Sequence, residues 1–335
     1  MHSSMPSSLP RSLGSIIQYA VLAVLAYILA GAPLLSMLTG DSSFSSSSLL
    51  SSSYPSNVGA KARHGAVDAG KLDSLVIPEK NLSCAEHGYK GVYVLSREPL
   101  VVYIEGFLGE GEGEEVVGLS EPHFTPSTIW NLGTESLNPN IRNSEKAPLP
   151  RSHTVKCIEN RARTFQGWQP DVFVEKLWSQ RYGVGGHYTY HYDWSTAKKK
   201  SGRVSSFMVY IEGNCTGGGT HFPRLKRPGG REWCRFIECP SSNSSSSDTT
   251  TTKIGKGGQG KTVVGERSKE DLSHGVIFKP IKGNAVFWEN MRSDGSGYAE
   301  SWHAGLPVET GRKIGLNIWS WKIEGYVPPS MEEEL

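Results

Sequence analysis

An excess of either charge is the first thing this sequence lacks. Its 35 Lys and Arg against 33 Asp and Glu leave a formal net charge of +2 over 335 residues. Nothing global therefore points to nucleic acid or an acidic polymer as partner. Basic runs such as Lys198-Lys199-Lys200 are short and read as solvated loop. Cysteine is also scarce. The 5 cysteines include no Cys-x-x-Cys pair, so neither a zinc ribbon nor a thioredoxin-like redox motif is indicated. Cys234 and Cys239 lie close together near Cys215, and an oxidising compartment would let them pair. There is no internal repeat, which sets repeat architectures aside.

One stretch lacks charge altogether. From Ile16 to Leu38 no residue is charged, and at about 1.5 Å per helical residue the run matches a bilayer core of about 30 Å. Arg11 before it and Asp41 after it orient a single-pass anchor with residues 1–15 in the cytoplasm. The rest of the chain then faces the lumen of the endoplasmic reticulum or another secretory compartment, as in a type II membrane protein. A cleaved signal peptide and a buried core helix are the competing readings. The sequons Asn81-Leu82-Ser83, Asn214-Cys215-Thr216 and Asn243-Ser244-Ser245 suit a lumenal glycoprotein.

Residues 39–75 form a Ser-rich stalk with little to bury. A folded domain is expected over 76–335, beginning near Leu75. Tyr89 to Leu108 holds two strand-like runs, and the acidic, Gly-rich Gly109 to Glu115 reads as a turn before or inside a helix. Thr154 to Arg163 and Asp171 to Tyr182 both read as helices, the second from Val172, Phe173, Leu177 and Trp178 with Asp171 as cap. Beyond residue 187 strand signals dominate: Phe207 to Ile211, Val276 to Phe278, Ala285 to Trp288 and Ile314 to Trp319. Short strands after a helical segment predict a mainly β fold with supporting helices, a sandwich or jelly roll. Residues 224–273 interrupt it, with Ser and Thr filling Ser241 to Thr252, and read as a surface insertion.

His191-Tyr192-Asp193 carries an imidazole and a carboxylate two residues apart, which a strand points to one face. With His303 they make the two-His, one-carboxylate set of non-haem ferrous sites, which leaves open positions for a cosubstrate and O2. The set alone is weak. The chain has 10 His, and His187 and His191 on a helix could bind zinc instead. The neighbours Tyr188, Thr189, Tyr190 and Tyr192 favour a strand. Lys313, ten residues after His303, offers a cation for the far carboxylate of an oxo-diacid, against the plain reading of a solvated strand end. Tyr188 could donate a hydrogen bond to the same carboxylate or simply pack in the core. Thr220 follows Gly217-Gly218-Gly219, a tight turn that could face its hydroxyl into the pocket.

Taken together these segments resemble the prolyl 4-hydroxylase alpha-subunit-like family of 2-oxoglutarate and Fe(II) dioxygenases. The resemblance rests on Arg181 to Asp193, on Arg203 with Phe207 to Ile211, and on Gly217 to Pro223. Pro280 to Asn290, His303 to Val308 and Gly311 to Lys313 extend it. The lead-in from Arg161 to Trp168 is similar to that of fungal membrane-anchored members. The family often has Gln at Gly186, Cys at Leu306 and Trp at Ile314, none of them a metal position. The resemblance implies a double-stranded β-helix and the metal ligands His191, Asp193 and His303. It implies Tyr188, Thr220 and Lys313 as cosubstrate residues. The implied cofactors are Fe(II), 2-oxoglutarate, O2 and L-ascorbate. The implied partner is a proline-containing protein or peptide substrate, with another amino acid or a small molecule as the alternative and a partner subunit left open.

Overall fold

The computed structural model describes residues 69–131, 134–167, 169–194, 201–239 and 274–326. The expected tail at 1–15, the anchor at 16–38, the stalk up to residue 68 and the sequon at Asn243 lie outside these. Among the described residues no helix is long and apolar enough to cross a membrane.

Among the described residues two large antiparallel sheets make the fold, beside a small two-stranded one of Ile129–Asn131 and Thr134–Ser136. The larger has nine strands. Its path runs Gly91–Arg97, Leu100–Glu105, Ala285–Glu289, Ser201–Gly217, Val308–Ile323, Trp178–Tyr182, Glu145–Pro148 and Thr125–Pro126, with Val172–Val174 added against Val308–Ile323. The smaller orders Val276–Phe278, Thr220–Phe222, His303–Gly305, His187–His191 and Arg142–Asn143. Strand alternation explains the layers. Phe207, Val209 and Ile211 face a core shared with the helices, whereas Met208 and Tyr210 face one shared with Phe222 and Phe278 of the smaller sheet. This is the jelly roll that the strand pattern predicts, with helices backing one face.

The helix over 154–163 is present as His153–Phe165. Ser152 caps it by accepting from the Val155 amide, and Val155, Ile158 and Ala162 form its buried face. Glu112–Ser120 forms the helix expected after the Gly-rich turn.

Three expectations change. Asp171 to Tyr182 is not helical. Its apolar positions sit at helical spacing, but Val172 to Val174 pair with Ser320 to Lys322, and Trp178 to Tyr182 pair with Lys313 to Asn317. A long sheet strand offers these residues hydrogen bonds and burial that a lone amphipathic turn cannot match. The central strands are also not short: Ser201–Gly217 has 17 residues and Val308–Ile323 has 16, and their register shifts at bulges such as the one at Arg203/Ser205. The start of the presumed insertion is core, since Leu225, Phe236 and Ile237 are buried between the sheets. Residues 240–273 lie outside the description.

The first described residues are tied to the larger sheet. Helix Ala69–Asp73 precedes the boundary expected near Leu75, and Leu72 and Leu75 pack with Phe173, Trp321 and Ile323. A disulfide joins Cys84 to Cys157 on His153–Phe165, a second joins Cys234 to Cys239, and Cys215 is free.

Candidate active site

The strand His187–His191 lies beside His303–Gly305, with His191 directly opposite His303. That register alone brings two imidazoles together, their ring centroids 4.3 Å apart. The strand ends at His191, so Asp193 reaches the site from the following turn rather than from the pleat. One ligand atom each from His191, Asp193 and His303 lies within 4.8 Å of the others.

The hydrogen bonds decide which atoms are left over. His191 Nδ1 lies 2.9 Å from the Thr189 carbonyl, and His303 Nδ1 lies 2.8 Å from the Ser301 carbonyl. Each ring thus donates its Nδ1–H to the carbonyl two residues back, which turns the Nε2 lone pair toward the centre. Asp193 Oδ2 accepts from the Ser206 hydroxyl at 2.6 Å and from Trp319 Nε1 at 3.1 Å. The other oxygen, Oδ1, faces His191 Nε2 at 3.6 Å. Behind Ser206 the chain continues, with Asn290 donating to Ser206 Oγ at 2.8 Å and accepting from Trp288 Nε1 at 2.9 Å.

Protonation states fit the same use. Burial, with His191 beside it, pushes the His303 imidazole down to about 4, so it is neutral at ordinary pH. Burial alone would raise Asp193, but its interactions with His191, His303 and Arg203 outweigh it and hold the carboxyl well below its usual range. Two imidazole Nε2 atoms and one carboxylate oxygen form a donor set for a divalent metal, Fe(II) among those this set suits.

Lys313, Tyr188 and Thr220 line the same small pocket as the three ligands. Lys313 is 2% exposed. Its Nζ donates to the Gly218 carbonyl at 2.7 Å, and burial pushes its pKa down to about 8. Gly217 and Gly218 both have φ of +67°, the left-handed region that a side chain disfavours, which explains the glycines of this turn. Thr220 Oγ1 accepts from the buried Tyr210 hydroxyl at 2.9 Å. The Thr220 proton is therefore left for an acceptor in the pocket. Tyr188 stacks on His191 with centroids 3.8 Å apart. Burial raises its phenol above the ordinary value, so it remains a donor.

The pocket opens through Tyr188, His191 and Asp193 into a cleft of about 560 Å³ whose walls include Trp178, Tyr190, Tyr192, Arg203 and Trp319. Sequence reasoning did not assign site roles to Ser206, Asn290, Arg203 or Trp319. A signal existed for one: Trp319 stands six residues from Lys313 on one strand, hence on the same face.

Residues 177–321 match the family described as the 2OG-Fe(II) oxygenase superfamily. Prolyl 4-hydroxylase 5 of Arabidopsis thaliana is 28% identical over 240 residues, covering 70% of this chain and 72% of that protein. The probable prolyl 4-hydroxylase 3 of the same plant is 27% identical over 248 residues, covering 72% and 76%. Human prolyl 4-hydroxylase subunit alpha-3 is 24% identical over 236 residues, 68% of this chain but 34% of that protein, so the chain spans about a third of that relative's length. The crystal structure of the viral collagen prolyl hydroxylase from Paramecium Bursaria Chlorella virus-1 with 2OG aligns with 67% of this chain and 96% of its own at 23% identity, with a TM-score of 0.44.

Proposed function

We propose that the 2OG-Fe(II) oxygenase domain carried by this chain hydroxylates peptidyl proline, converting 2-oxoglutarate and O2 to succinate and CO2. The carrying observation is the set of atoms left over in one pocket: two Nε2 lone pairs and Asp193 Oδ1 at one end, the buried Lys313 ammonium at the other. Iron bound with 2-oxoglutarate and O2 would supply the oxidising power. The protein's share is placement.

His191, Asp193 and His303 would hold the metal through the atoms their own hydrogen bonds leave exposed. Lys313 would receive the far carboxylate of 2-oxoglutarate, joined by the Thr220 hydroxyl and the Tyr188 phenol. A buried ammonium facing a carboxylate is a strong, charge-assisted partner. The aromatic side chains in the walls of the neighbouring cleft offer flat apolar faces of the kind that extended, proline-rich chains dock on. That breadth favours a peptide over free proline. The prolyl 4-hydroxylases of plants and animals among its relatives support the same substrate class.

The proposal extends to placement in the cell. Residues 16–38 would anchor the chain as in fungal membrane-anchored members, with the domain in the lumen of the endoplasmic reticulum and ascorbate available to keep the iron ferrous. The disulfides Cys84–Cys157 and Cys234–Cys239 suit an oxidising compartment, and the exposed Asn81 and Asn214 stand in sequons that a lumenal transferase could reach.

The test is direct. The chain is incubated with Fe(II), labelled 2-oxoglutarate and a panel of proline-containing peptides, and succinate release is followed together with a mass gain of one oxygen atom on the peptide. Coupled formation of both is expected. Succinate released without peptide oxidation counts against the proline reading, and oxidation of a free amino acid or other small molecule instead favours the alternative oxygenase.

A further inference from the structure

Next to the metal end of the cleft five side chains form a layered stack. The Arg203 guanidinium lies over the Trp319 ring at 3.9 Å. Glu175 grips the same guanidinium from the side, Nε to Oε1 at 2.7 Å and Nη2 to Oε2 at 3.1 Å. Lys71 closes on Glu175 Oε2 at 2.9 Å, and its ammonium lies over the Trp321 ring at 3.8 Å. Trp319 and Trp321 are two apart on one strand, so they present the same face.

We propose that Glu175, backed by Lys71, is a positioning residue that fixes the Arg203 guanidinium in the wall of the substrate cleft and thereby sets the affinity for the peptide. The inference rests on the peptide-hydroxylase reading above. Geometry carries it. Two of the three guanidinium nitrogens are committed to Glu175, which fixes rotation in the plane, and the Trp319 face fixes the tilt. Trp319 in turn donates to Asp193 Oδ2, so the position of Arg203 is registered to a metal-ligand carboxylate. Glu175 is itself held by backbone, its amide donating to the Trp319 carbonyl at 2.8 Å.

Lys71 has a reason to be there. Glu175 is buried, and a buried carboxylate requires paired charge. Burial alone would raise its carboxyl, and the Arg203 and Lys71 charges outweigh that and hold it below the ordinary value. One carboxylate against two cations leaves the stack a net positive charge beside the cleft. Lys71 and Glu175 both fall outside residues 177–321, so the segment ahead of the family match reaches into the site through this stack.

The experiment uses the full-length chain and the variants Glu175→Gln, Lys71→Met and Lys71→Arg. Initial rates are measured against a short polyproline peptide and, separately, against 2-oxoglutarate. The Arg203 Nε–H signal is followed by NMR, assigned by its loss in Arg203→Lys. Glu175→Gln should raise the peptide KM about tenfold while the 2-oxoglutarate KM moves by less than about twofold. Lys71→Met should raise the peptide KM about threefold, and Lys71→Arg should restore it, because it returns the charge. The Arg203 signal should be sharp in the parent and broadened in Glu175→Gln with no substrate present. A parallel rise in both KM values marks a merely structural role and overturns the proposal. An unchanged peptide KM or an unchanged Arg203 signal also overturns it. Absence of peptide-dependent succinate in the parent chain would defeat the peptide reading instead, and the Arg203 signal would still decide the positioning.

Discussion

The two ends of the pocket are built on opposite plans. At the metal end every ligand is tied from behind. His191 and His303 are each pinned to the carbonyl two residues before them, and Asp193 is held by Ser206 and Trp319, with Asn290 and Trp288 supporting Ser206. At the other end a single buried ammonium, Lys313, donates to one carbonyl from a glycine turn. The first end is a preorganised electron-pair donor set. The second is a charge kept under tension by burial, which a carboxylate would relieve. One end fixes geometry and the other supplies affinity, and the two should fail in different ways.

The largest separation is expected from the ligands themselves. Asp193→Ala should abolish tight iron binding and lower turnover by at least about a thousandfold, read by metal content and succinate release. Retention of stoichiometric iron would break the comparison at its root. Lys313→Ala should do the reverse. Iron binding should persist while the 2-oxoglutarate KM rises on the order of a hundredfold, as expected when one partner of a buried charge pair is cut away. Ser206→Ala loosens Asp193 without removing it, and should weaken iron affinity about tenfold in a competitive chelator titration.

The smallest effect is in pH. Lys313, lowered to about 8 by burial, carries its charge below that pH and loses it as the pH rises through it. Binding a carboxylate at higher pH then requires proton uptake, so the 2-oxoglutarate KM should climb above about pH 8, approaching tenfold per unit. Lys313→Arg should flatten that limb, because a guanidinium stays charged. A climb that survives this substitution would move the titration to another group.

The metal end was the more legible in sequence, and for a physical reason. His191 and Asp193 are neighbours in the chain, and the tyrosines around them mark a strand, so only His303 had to be found at a distance. Lys313 was legible through its place ten residues after His303, and its burial among Tyr182 and Tyr210 was not. The supports were hidden because they depend on pairing. Ser206 meets Asp193 only because Ser201–Gly217 pairs with Val308–Ile323 in a bulged register that sets Ser206 opposite Trp319. The Asp171 to Tyr182 error has the same origin: spacing suggested a helix, and the neighbouring strand, more than a hundred residues later, decided otherwise. Cys84–Cys157, whose partners are 73 positions apart in sequence, was likewise beyond local reading.

One feature of the fold bears on which acids the pocket admits. His303 lies on a strand of the smaller sheet, and Lys313 on a strand of the larger, joined by the short link through Pro307. The distance from metal ligands to ammonium is therefore the gap between two packed layers, filled by side chains that do not yield without cost. The molecule works as a calliper, and the carbon count of the diacid is the length it gauges.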